Sequence, residues 1–312
     1  MLTAEQQILR RTCIGSSEIA KVCGVDFYHD GPHRVWQAKC GLVREQAPTL
    51  DTKLGDAFEA VVSAIYADQV GVELARDPVP TRIHSKHAWI GASIDWIRTN
   101  DLIPVECKWI GTPYRAHYFE HAIGLRDVCQ ICGRCASMHW GREPDSIPDD
   151  VRLQCAWQMA VSGAPWMHVA RLWIANFSRD FAIYTVERNA RLEERLIERG
   201  RAFWHDYVLT GEAPPADGTK SSDATNRLLF PSVHGGMQDA TAGADELAEQ
   251  WFHGDAMADE GAAIRDAAAD KLRRMIGHAE GIQGATWKAT NKTRVDGARV
   301  LLVKRKKANG KR

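Results

Sequence analysis

Long apolar runs are missing from this 312-residue sequence. No stretch approaches the ~18 consecutive apolar residues that a membrane-spanning helix needs, so we expect no membrane partner. The first residues, MLTAEQQILRRTC, contain no apolar signal core, and we therefore expect no secretion. Eight cysteines without a secretion signal are expected to be reduced thiols, in a bacterial or phage-infected host cytoplasm.

An excess of one charge is missing as well. The chain has 40 Lys and Arg residues against 40 Asp and Glu residues, so its formal net charge is zero. Proteins that bind nucleic acid are often basic overall, and this balance counts against such a function. The final stretch, residues 304–312, nevertheless carries six cations and no acidic residue. That tail is either a solubilising end or a weak attraction for phosphates.

Helical and strand patterns alternate over the first 210 residues, which predicts an α/β or α+β fold. The clearest helical pattern is an apolar stripe that includes Leu54, Phe58 and Val62. Residues 99–101 have turn chemistry and predict a hairpin between the strands on either side. Helices are expected at residues 16–24, 33–41, 53–69, 114–123, 150–162 and 189–209, and strands at residues 79–84, 87–98, 102–110, 168–175 and 180–187.

The domain organisation follows from a change in composition. Residues 213–226 are rich in Pro, Gly, Ser and Asp, which is typical of a linker. We therefore expect a catalytic domain at 1–212, a linker at 213–239 and an extension at 240–312. The extension should contain a helical hairpin at 240–278, a short strand pair at 283–303 and the basic tail.

The candidate chemistry lies at the predicted hairpin, in Asp95, Glu106 and Lys108. Residues two apart on a strand share a face, so Glu106 and Lys108 should point together, with Asp95 beside them on the preceding strand. Two converging carboxylates suit Mg²⁺, and a nearby ammonium would orient the attacking water of a phosphodiester hydrolase. An acid-x-Lys string is common by chance, and Asp51-Thr-Lys53 is a second example. Glu106 and Lys108 therefore also fit a solvated ion pair on an edge strand.

Five strings in order resemble the YqaJ family of viral recombinases, which is similar to phage lambda exonuclease and belongs to the PD-(D/E)xK nucleases. They are IGSSEIAKVCG (14–24), LGDAFEAVV (54–62), IGASIDWI (90–97), VECK (105–108) and LQCAWQMAVSGAPW (153–166). The resemblance implies a PD-(D/E)xK core, with a mixed central sheet flanked by helices. It also implies an exonuclease that digests double-stranded DNA from 5′ to 3′, leaving single strands for an annealing protein during phage recombination. Some members of the family are toroidal trimers.

The resemblance also implies a role for each matching residue. Asp95, Glu106 and the carbonyl of Cys107, with help from Glu59, would hold Mg²⁺, for which Mn²⁺ is a common substitute. Lys108 would orient the attacking water. Three further roles are implied: Gln154 would position that lysine or the DNA, and Ser17 and Ser93, together with Arg10, would grip a terminal 5′ phosphate.

Three positions depart from the family's pattern. The residue after Asp95 is tryptophan rather than glycine, Lys108 is followed by Trp109-Ile110 rather than Cys-Pro, and the second glutamine of the Gln-x-Gln string is Ala156. These departures remove no metal ligand. Because Trp109 directly follows the lysine, it is the tryptophan that we expect to touch DNA.

A run of cysteines, Cys129, Cys132 and Cys135, followed by His139, raises the question of a second metal. Thiolates at this spacing bind zinc or an iron–sulfur cluster in other proteins, but a structural zinc site usually pairs two separated knuckles. A helix turn that buries small residues is the simpler interpretation. Two alternatives to an exonuclease also stay open: an endonuclease of the same superfamily, either restriction-type or structure-specific, and a non-catalytic protein that binds DNA ends.

Overall fold

A computed structural model describes residues 9–25, 30–43, 49–110, 140, 146–175, 178–232, 235–237, 239–293 and 299–305. The chain divides into two compact units, Met1–Val233 and His234–Arg312. The first unit contains helices α1 (Ile19–Val22), α2 (Gly31–Lys39), α3 (Leu50–Val70), α4 (Asp149–Ser162), α5 (Ala190–Phe203) and α6 (Lys220–Leu229). Among the described helices, none is long and apolar enough to cross a membrane.

The strands of the first unit are β1 (Leu74–Arg76), β2 (Arg82–His84), β3 (His87–Ala92), β4 (Trp96–Arg98), β5 (Pro104–Ile110), β6 (Trp166–Ala175) and β7 (Ser178–Glu187). Five of them form one sheet in the order β1-β4-β5-β6-β7. β5 and β6 run parallel, and the other neighbours run antiparallel. The parallel pair needs a crossover, and α4 lies within it. The sheet is therefore mixed.

Helices cover both faces of this sheet. On one face, Val62 and Tyr66 of α3 pack against Val105 and Cys107 of β5. On the other face, Cys155 and Met159 of α4 pack in a cluster with strand residues that include Val169. Alternate residues of a strand point to opposite faces, so β6 and β7 contribute to both clusters. The mixed α/β class with a helix-flanked sheet, as expected from the sequence, is confirmed.

Helix α3 matches its predicted segment because its ends have clear signals. The side-chain hydroxyl of Thr49 caps the first turn by accepting a hydrogen bond from the Thr52 N–H at 3.2 Å. Gly71 ends the helix with a φ of 71°, a left-handed conformation in which a side chain would be strained. The helix between them carries the predicted apolar stripe to the sheet.

The single strand expected over residues 87–98 is wrong, because the structure divides it in two. β3 pairs with β2 in a separate two-stranded sheet, whereas β4 pairs with β1 and β5 in the main sheet. The chain leaves one sheet and joins the other between Ala92 and Trp96. The apolar alternation continues through this break, so the pattern could not reveal it. Asp95 occupies the position directly before β4.

The expected linker, residues 213–239, is largely folded onto the first unit. Within it, α6 packs against α2 through a buried polar network centred on Thr225. The Thr225 hydroxyl lies 3.1 Å from His33 Nδ1 and accepts a hydrogen bond from Gln37 Nε2 at 2.8 Å. His33 Nε2 also lies 3.0 Å from the carbonyl oxygen of Pro215. The linker composition was misleading because these polar residues satisfy one another when buried.

We expect Thr225→Val to lower the free energy of unfolding by about 1–3 kcal/mol, because it removes the partner of buried His33 Nδ1 and one of the two partners of Gln37 Nε2. Denaturant titration measures the change. Asn226→Val is the matched control, since Asn226 is the next residue of α6 and is exposed. Equal stability of the two variants would contradict the role of this network.

The second unit contains one helix, α7 (Ala244–Ile276), and strands β8 (Gly281–Gln283), β9 (Trp287–Thr293) and β10 (Arg299–Arg305). The strands form an antiparallel sheet in the order β10-β9-β8. The expected helical hairpin is wrong: α7 is continuous over 33 residues. Gly254 and Gly261 are helical although each glycine destabilises a helix by about 1 kcal/mol relative to alanine, because the many alanines of this long helix favour the helical state.

Candidate active site

The β4–β5 hairpin brings the predicted residues together. Trp96 lies opposite Val105 and Ile97 opposite Pro104. Asp95, one residue before this pairing, therefore lies next to Glu106, the residue after Val105. The backbone N–H of Cys107 donates a hydrogen bond to Asp95 Oδ2 at 2.9 Å, which fixes the carboxylate against β5.

The side chains of β5 alternate between the two faces of the sheet. Val105 and Cys107 face α3. Glu106 and Lys108 share the opposite face, and Lys108 Nζ donates to Glu106 Oε1 at 2.6 Å. Glu106 is only 3% exposed, so this pair is not a solvated ion pair on an edge strand. Its strand is also internal, with β4 on one side and β6 on the other.

Gln154 of α4 completes a closed set of hydrogen bonds. Its Oε1 accepts from Lys108 Nζ at 3.0 Å, and its Nε2 donates to Glu106 Oε1 at 2.7 Å. The Gln154 amide thus contacts both the Lys108 ammonium and the Glu106 carboxylate. The side chain holds Lys108 in one direction and compensates part of the burial of Glu106.

Gln158 is a site residue that the sequence analysis missed. Its Nε2 donates to Glu106 Oε2 at 2.6 Å and to the carbonyl oxygen of Ser93 at 2.9 Å. The signal was present, because Gln158 lies four residues after Gln154 and so shares its helix face. Its Oε1 is buried and has no hydrogen-bond partner among the described residues. Gln158 therefore links the strand break at residue 93 to the buried carboxylate.

Burial and neighbouring charge set the protonation of this cluster. Burial and then the Glu106 carboxylate raise the pKa of Asp95 well above its usual value. Burial lowers the pKa of Lys108, but the charges of Glu106 and Asp95 outweigh it, and the net pKa of Lys108 is raised. Lys108 accordingly keeps its proton, while two close carboxylates repel each other. A cation between them would relieve that repulsion.

The donor set fits a hard divalent cation. The carboxylates of Asp95 and Glu106 are oxygen donors, and the carbonyl of Cys107 belongs to the same strand segment. In the part of the chain that the structure describes, no group of three or more His, Cys, Asp and Glu side chains is placed to hold a metal. Two carboxylates and a carbonyl leave coordination positions for water and substrate phosphate, which is the usual binding mode of Mg²⁺.

Glu59 lies close enough to influence this cluster, and its charge contributes to the raised pKa of Asp95 after the larger effects of burial and Glu106. Its own partner is Arg76, whose Nη1 lies 2.8 Å from Glu59 Oε1. The Arg76 guanidinium also lies 4.5 Å from the centre of the Trp96 ring. The contact with Arg76 uses Oε1 of Glu59, and Oε2 takes no part in it.

The segments that carry Ser17 and Ser93 are held side by side. Ile14 and Ile90 form a parallel bridge, and each serine follows its bridged residue by three positions. Both serines are exposed. Gly91 allows the close approach, because a Cβ there would overlap the Cys13 sulfur. Arg10 lies on the same segment, where its carbonyl accepts a hydrogen bond from the buried Lys39 Nζ at 2.5 Å.

Trp109 lies on the opposite face of β5 from Glu106 and Lys108. Its ring stacks on Phe58 of α3, with centroids 4.9 Å apart and planes 7° from parallel. The indole N–H is buried, with no hydrogen-bond partner among the described residues. This position packs α3 against the sheet and does not place the indole beside the carboxylates.

The cysteine run Cys129, Cys132 and Cys135, with His139, lies outside the described residues. Two other thiols close to the candidate site, those of Cys107 and Cys155, are described, buried and free. Burial is the main cause that raises the pKa of both thiols. The next cause is the negative charge of Asp95 for Cys107 and that of Glu106 for Cys155. Thiols with a raised pKa are poor metal ligands, since metals bind the thiolate.

Comparison with known proteins identifies the family of this chain. The family model described as "YqaJ-like viral recombinase domain" matches residues 7–165, which is half of the chain and includes every site residue named above. The chain belongs to this family. The family assignment made from the sequence strings is thereby confirmed.

Individual relatives of this YqaJ-like protein are distant. An uncharacterized YqaJ protein of Bacillus subtilis is 23% identical over 250 residues, covering 80% of this chain and 70% of the relative. A crystal structure of an alkaline exonuclease from Laribacter hongkongensis is 17% identical with a TM-score of 0.49, covering 67% of this chain and 94% of the other. A phage-related exonuclease from Haemophilus somnus is 10% identical with a TM-score of 0.44, covering 65% and 97%.

We expect Gln158→Met to lower kcat/KM for DNA cleavage by about 10–100-fold, the usual effect of removing a side chain that orients a metal ligand. Methionine keeps the volume but cannot donate to Glu106 Oε2. The Mg²⁺ concentration for half-maximal activity should rise, because the carboxylate is less well oriented. Gln69→Met, an exposed position near the end of α3, is the matched control. An unchanged metal requirement in Gln158→Met would contradict this role.

Proposed function

We propose that this protein is a Mg²⁺-dependent exonuclease that degrades one strand of linear duplex DNA from the 5′ end. The observation that carries the proposal is the closed cluster of Glu106, Lys108 and Gln154, with Asp95 beside it. Membership of a family of recombination nucleases supports the class of reaction, a deoxyribonuclease.

Each residue of the cluster has a task in phosphodiester hydrolysis. Asp95, Glu106 and the carbonyl of Cys107 would hold the cation. When bound, a divalent cation polarises the phosphate and offsets the charge that develops on it. Lys108 is fixed by Glu106 and Gln154, so its Nζ points in one direction without a reorganisation step. Its ammonium would orient the attacking water and stabilise the negative charge that develops as that water gives its proton to solvent.

The grip on a DNA end is assigned to Ser17, Ser93 and Arg10. Their segments are joined by the Ile14–Ile90 bridge, and Gln158 connects Ser93 to Glu106. A phosphate held by these hydroxyls and the guanidinium would therefore have a fixed distance to the cleavage site. Such a grip favours ends over internal positions, because a terminal phosphate monoester carries more negative charge and one more free oxygen than an internal phosphodiester. The single strands left behind suit an annealing protein, and a toroidal trimer would keep the enzyme on its substrate.

Linear and covalently closed circular duplexes of the same sequence, incubated with Mg²⁺, test the proposal. We expect the linear form to be converted to single strands and nucleotides while the closed circle stays intact. Nicking or linearisation of the closed circle would overturn the exonuclease assignment in favour of an endonuclease. Binding of linear ends without any cleavage would instead indicate a non-catalytic end-binding protein.

A further inference from the structure

Helix α7 of the second unit presents large apolar side chains to solvent along its length. Leu247, Trp251, Met257, Ile264 and Met275 are each between 60% and 72% exposed. Exposed apolar residues are ordinary when scattered, but these five recur at helical spacing along one 33-residue helix. An exposed apolar surface of this kind is typical of a protein–protein interaction site.

Four of the five exposed residues, Leu247, Met257, Ile264 and Met275, follow a seven-residue repeat, and Trp251 lies beside it. Leu247, Gly254, Gly261, Ala268 and Met275 are spaced seven apart, and Gln250, Met257, Ile264 and Lys271 each lie three residues after the first four of them. Positions that alternate by three and four residues form one seam along a helix, which is the pattern by which helices pair side by side. The strands of the second unit cover another part of the helix, since the residue of α7 that is buried is Ile276 at its end.

The charge of α7 is divided between its two halves. Residues 244–260 contain six acidic residues and no Lys or Arg. Residues 261–276 contain four Lys and Arg residues and two acidic residues. Two copies of the helix side by side in the same direction would place acidic half against acidic half. In opposite directions, each acidic half would meet a basic half.

The sizes of the seam residues also favour an antiparallel pair. In such a pair, each residue of the series that begins at Leu247 faces a residue of the series that begins at Gln250 on the other helix. Gly254 then faces Ile264, and Gly261 faces Met257. Each large side chain then fills the space beside a glycine. In a parallel pair, glycine would face glycine at both positions and leave gaps in the seam. Antiparallel pairing also brings Glu246 to Arg274, on the flank of the seam.

We propose that α7 is a self-association surface that pairs antiparallel with α7 of a second copy of this chain. The partner is specified by the helix itself, because the acidic half with its glycines complements the basic half with Ile264. This pairing does not depend on the nuclease function. It would join two exonuclease units, or two of their rings, through their C-terminal extensions.

Charge reversal in the full-length protein tests the pairing. The first variant replaces Glu246, Glu249 and Asp255 with lysine, and the second replaces Arg265, Lys271 and Arg274 with glutamate; all six positions are exposed. Light scattering measures the molar mass of each protein over a range of concentrations. We expect each variant to have half of the mass of the wild type, because like charges then face each other.

Two further samples distinguish charge repulsion between the helices from misfolding and establish the relative direction of the paired helices. An equimolar mixture of the two variants should regain the wild-type mass, which misfolded proteins would not do. The chain with all six substitutions should also regain it, because an antiparallel pair again joins opposite charges. A dissociated six-fold variant would refute the antiparallel arrangement. Equal masses for the wild type and both single-half variants would overturn the proposal and indicate that α7 is covered within its own chain or by another protein.

Discussion

Replacement of Lys108 with alanine is expected to lower the rate of DNA cleavage by about 10²–10³-fold, the effect typical of losing one preorganised donor that stabilises developing charge. Lys108 contacts both Glu106 Oε1 and Gln154 Oε1, and its net pKa is raised by the neighbouring carboxylates, so it acts as a permanent ammonium beside the proposed water. Loss of this group removes a contact made in the transition state, so kcat should fall while the affinity for DNA ends stays nearly constant.

Single-turnover cleavage and end binding, measured on the same linear duplex, separate these two quantities. Lys53→Ala is the matched control, because Lys53 belongs to the other acid-x-Lys string and is exposed on α3. We expect that control to cleave at the wild-type rate. Cleavage by Lys108→Ala at the rate of the control would remove Lys108 from the mechanism.

Replacement of Asp95 with asparagine is expected to abolish detectable cleavage and to remove the stabilisation that Mg²⁺ gives to the wild type. A lost metal ligand affects several kcal/mol of transition-state stabilisation, which corresponds to a fall of about 10³-fold or more. The wild type should melt at a higher temperature with saturating Mg²⁺, since a ligand that binds the folded state at 100 times its Kd adds about 2.7 kcal/mol. The variant should show little of this increase.

Without metal, the sign of the effect on stability is reversed. Burial and Glu106 raise the pKa of Asp95 in the folded state above its unfolded value, so the ionised carboxylate lowers the stability of the metal-free protein at neutral pH. The asparagine side chain carries no charge, and metal-free Asp95→Asn should therefore melt at a higher temperature than the metal-free wild type. Differential scanning calorimetry of both proteins, once with chelator and once with Mg²⁺, measures these melting temperatures. Asp68→Asn, at an exposed position of α3, is the matched control, and a response equal to that control would contradict the metal site at Asp95.

The cluster of Asp95, Glu106 and Lys108 was predictable because its geometry depends on local rules. Two-residue alternation placed Glu106 and Lys108 on one face, and the turn at residues 99–101 predicted the hairpin that brings Asp95 beside them. Gln154 was assigned through the family strings and lies where they imply. Gln158 was not found, although it shares the helix face of Gln154, because its partner Glu106 lies 52 positions away in the sequence.

The errors concern contacts between distant segments. The break between β3 and β4 depends on which strands pair, and β3 leaves the main sheet to pair with β2. The Pro- and Ser-rich stretch at residues 213–226 looked like a linker, yet Thr225 within it is buried against His33, 192 positions earlier. Composition describes how a segment interacts with water and cannot show that buried partners exist elsewhere in the chain. Helix α7 was divided in the prediction because its length is unusual, whereas its glycines remain helical.

Digestion of a linear duplex that carries a label at one 5′ end or at one 3′ end tests the proposed exonuclease activity and its direction together. With Mg²⁺, we expect the wild type to release the 5′ label at once as a mononucleotide, while the 3′-labelled strand shortens progressively. Removal of the 5′ phosphate should slow this digestion, and Lys108→Ala should leave both labelled strands at full length. Progressive shortening of the 5′-labelled strand would refute the 5′-to-3′ direction, and equal digestion by Lys108→Ala would refute the assignment of the active site.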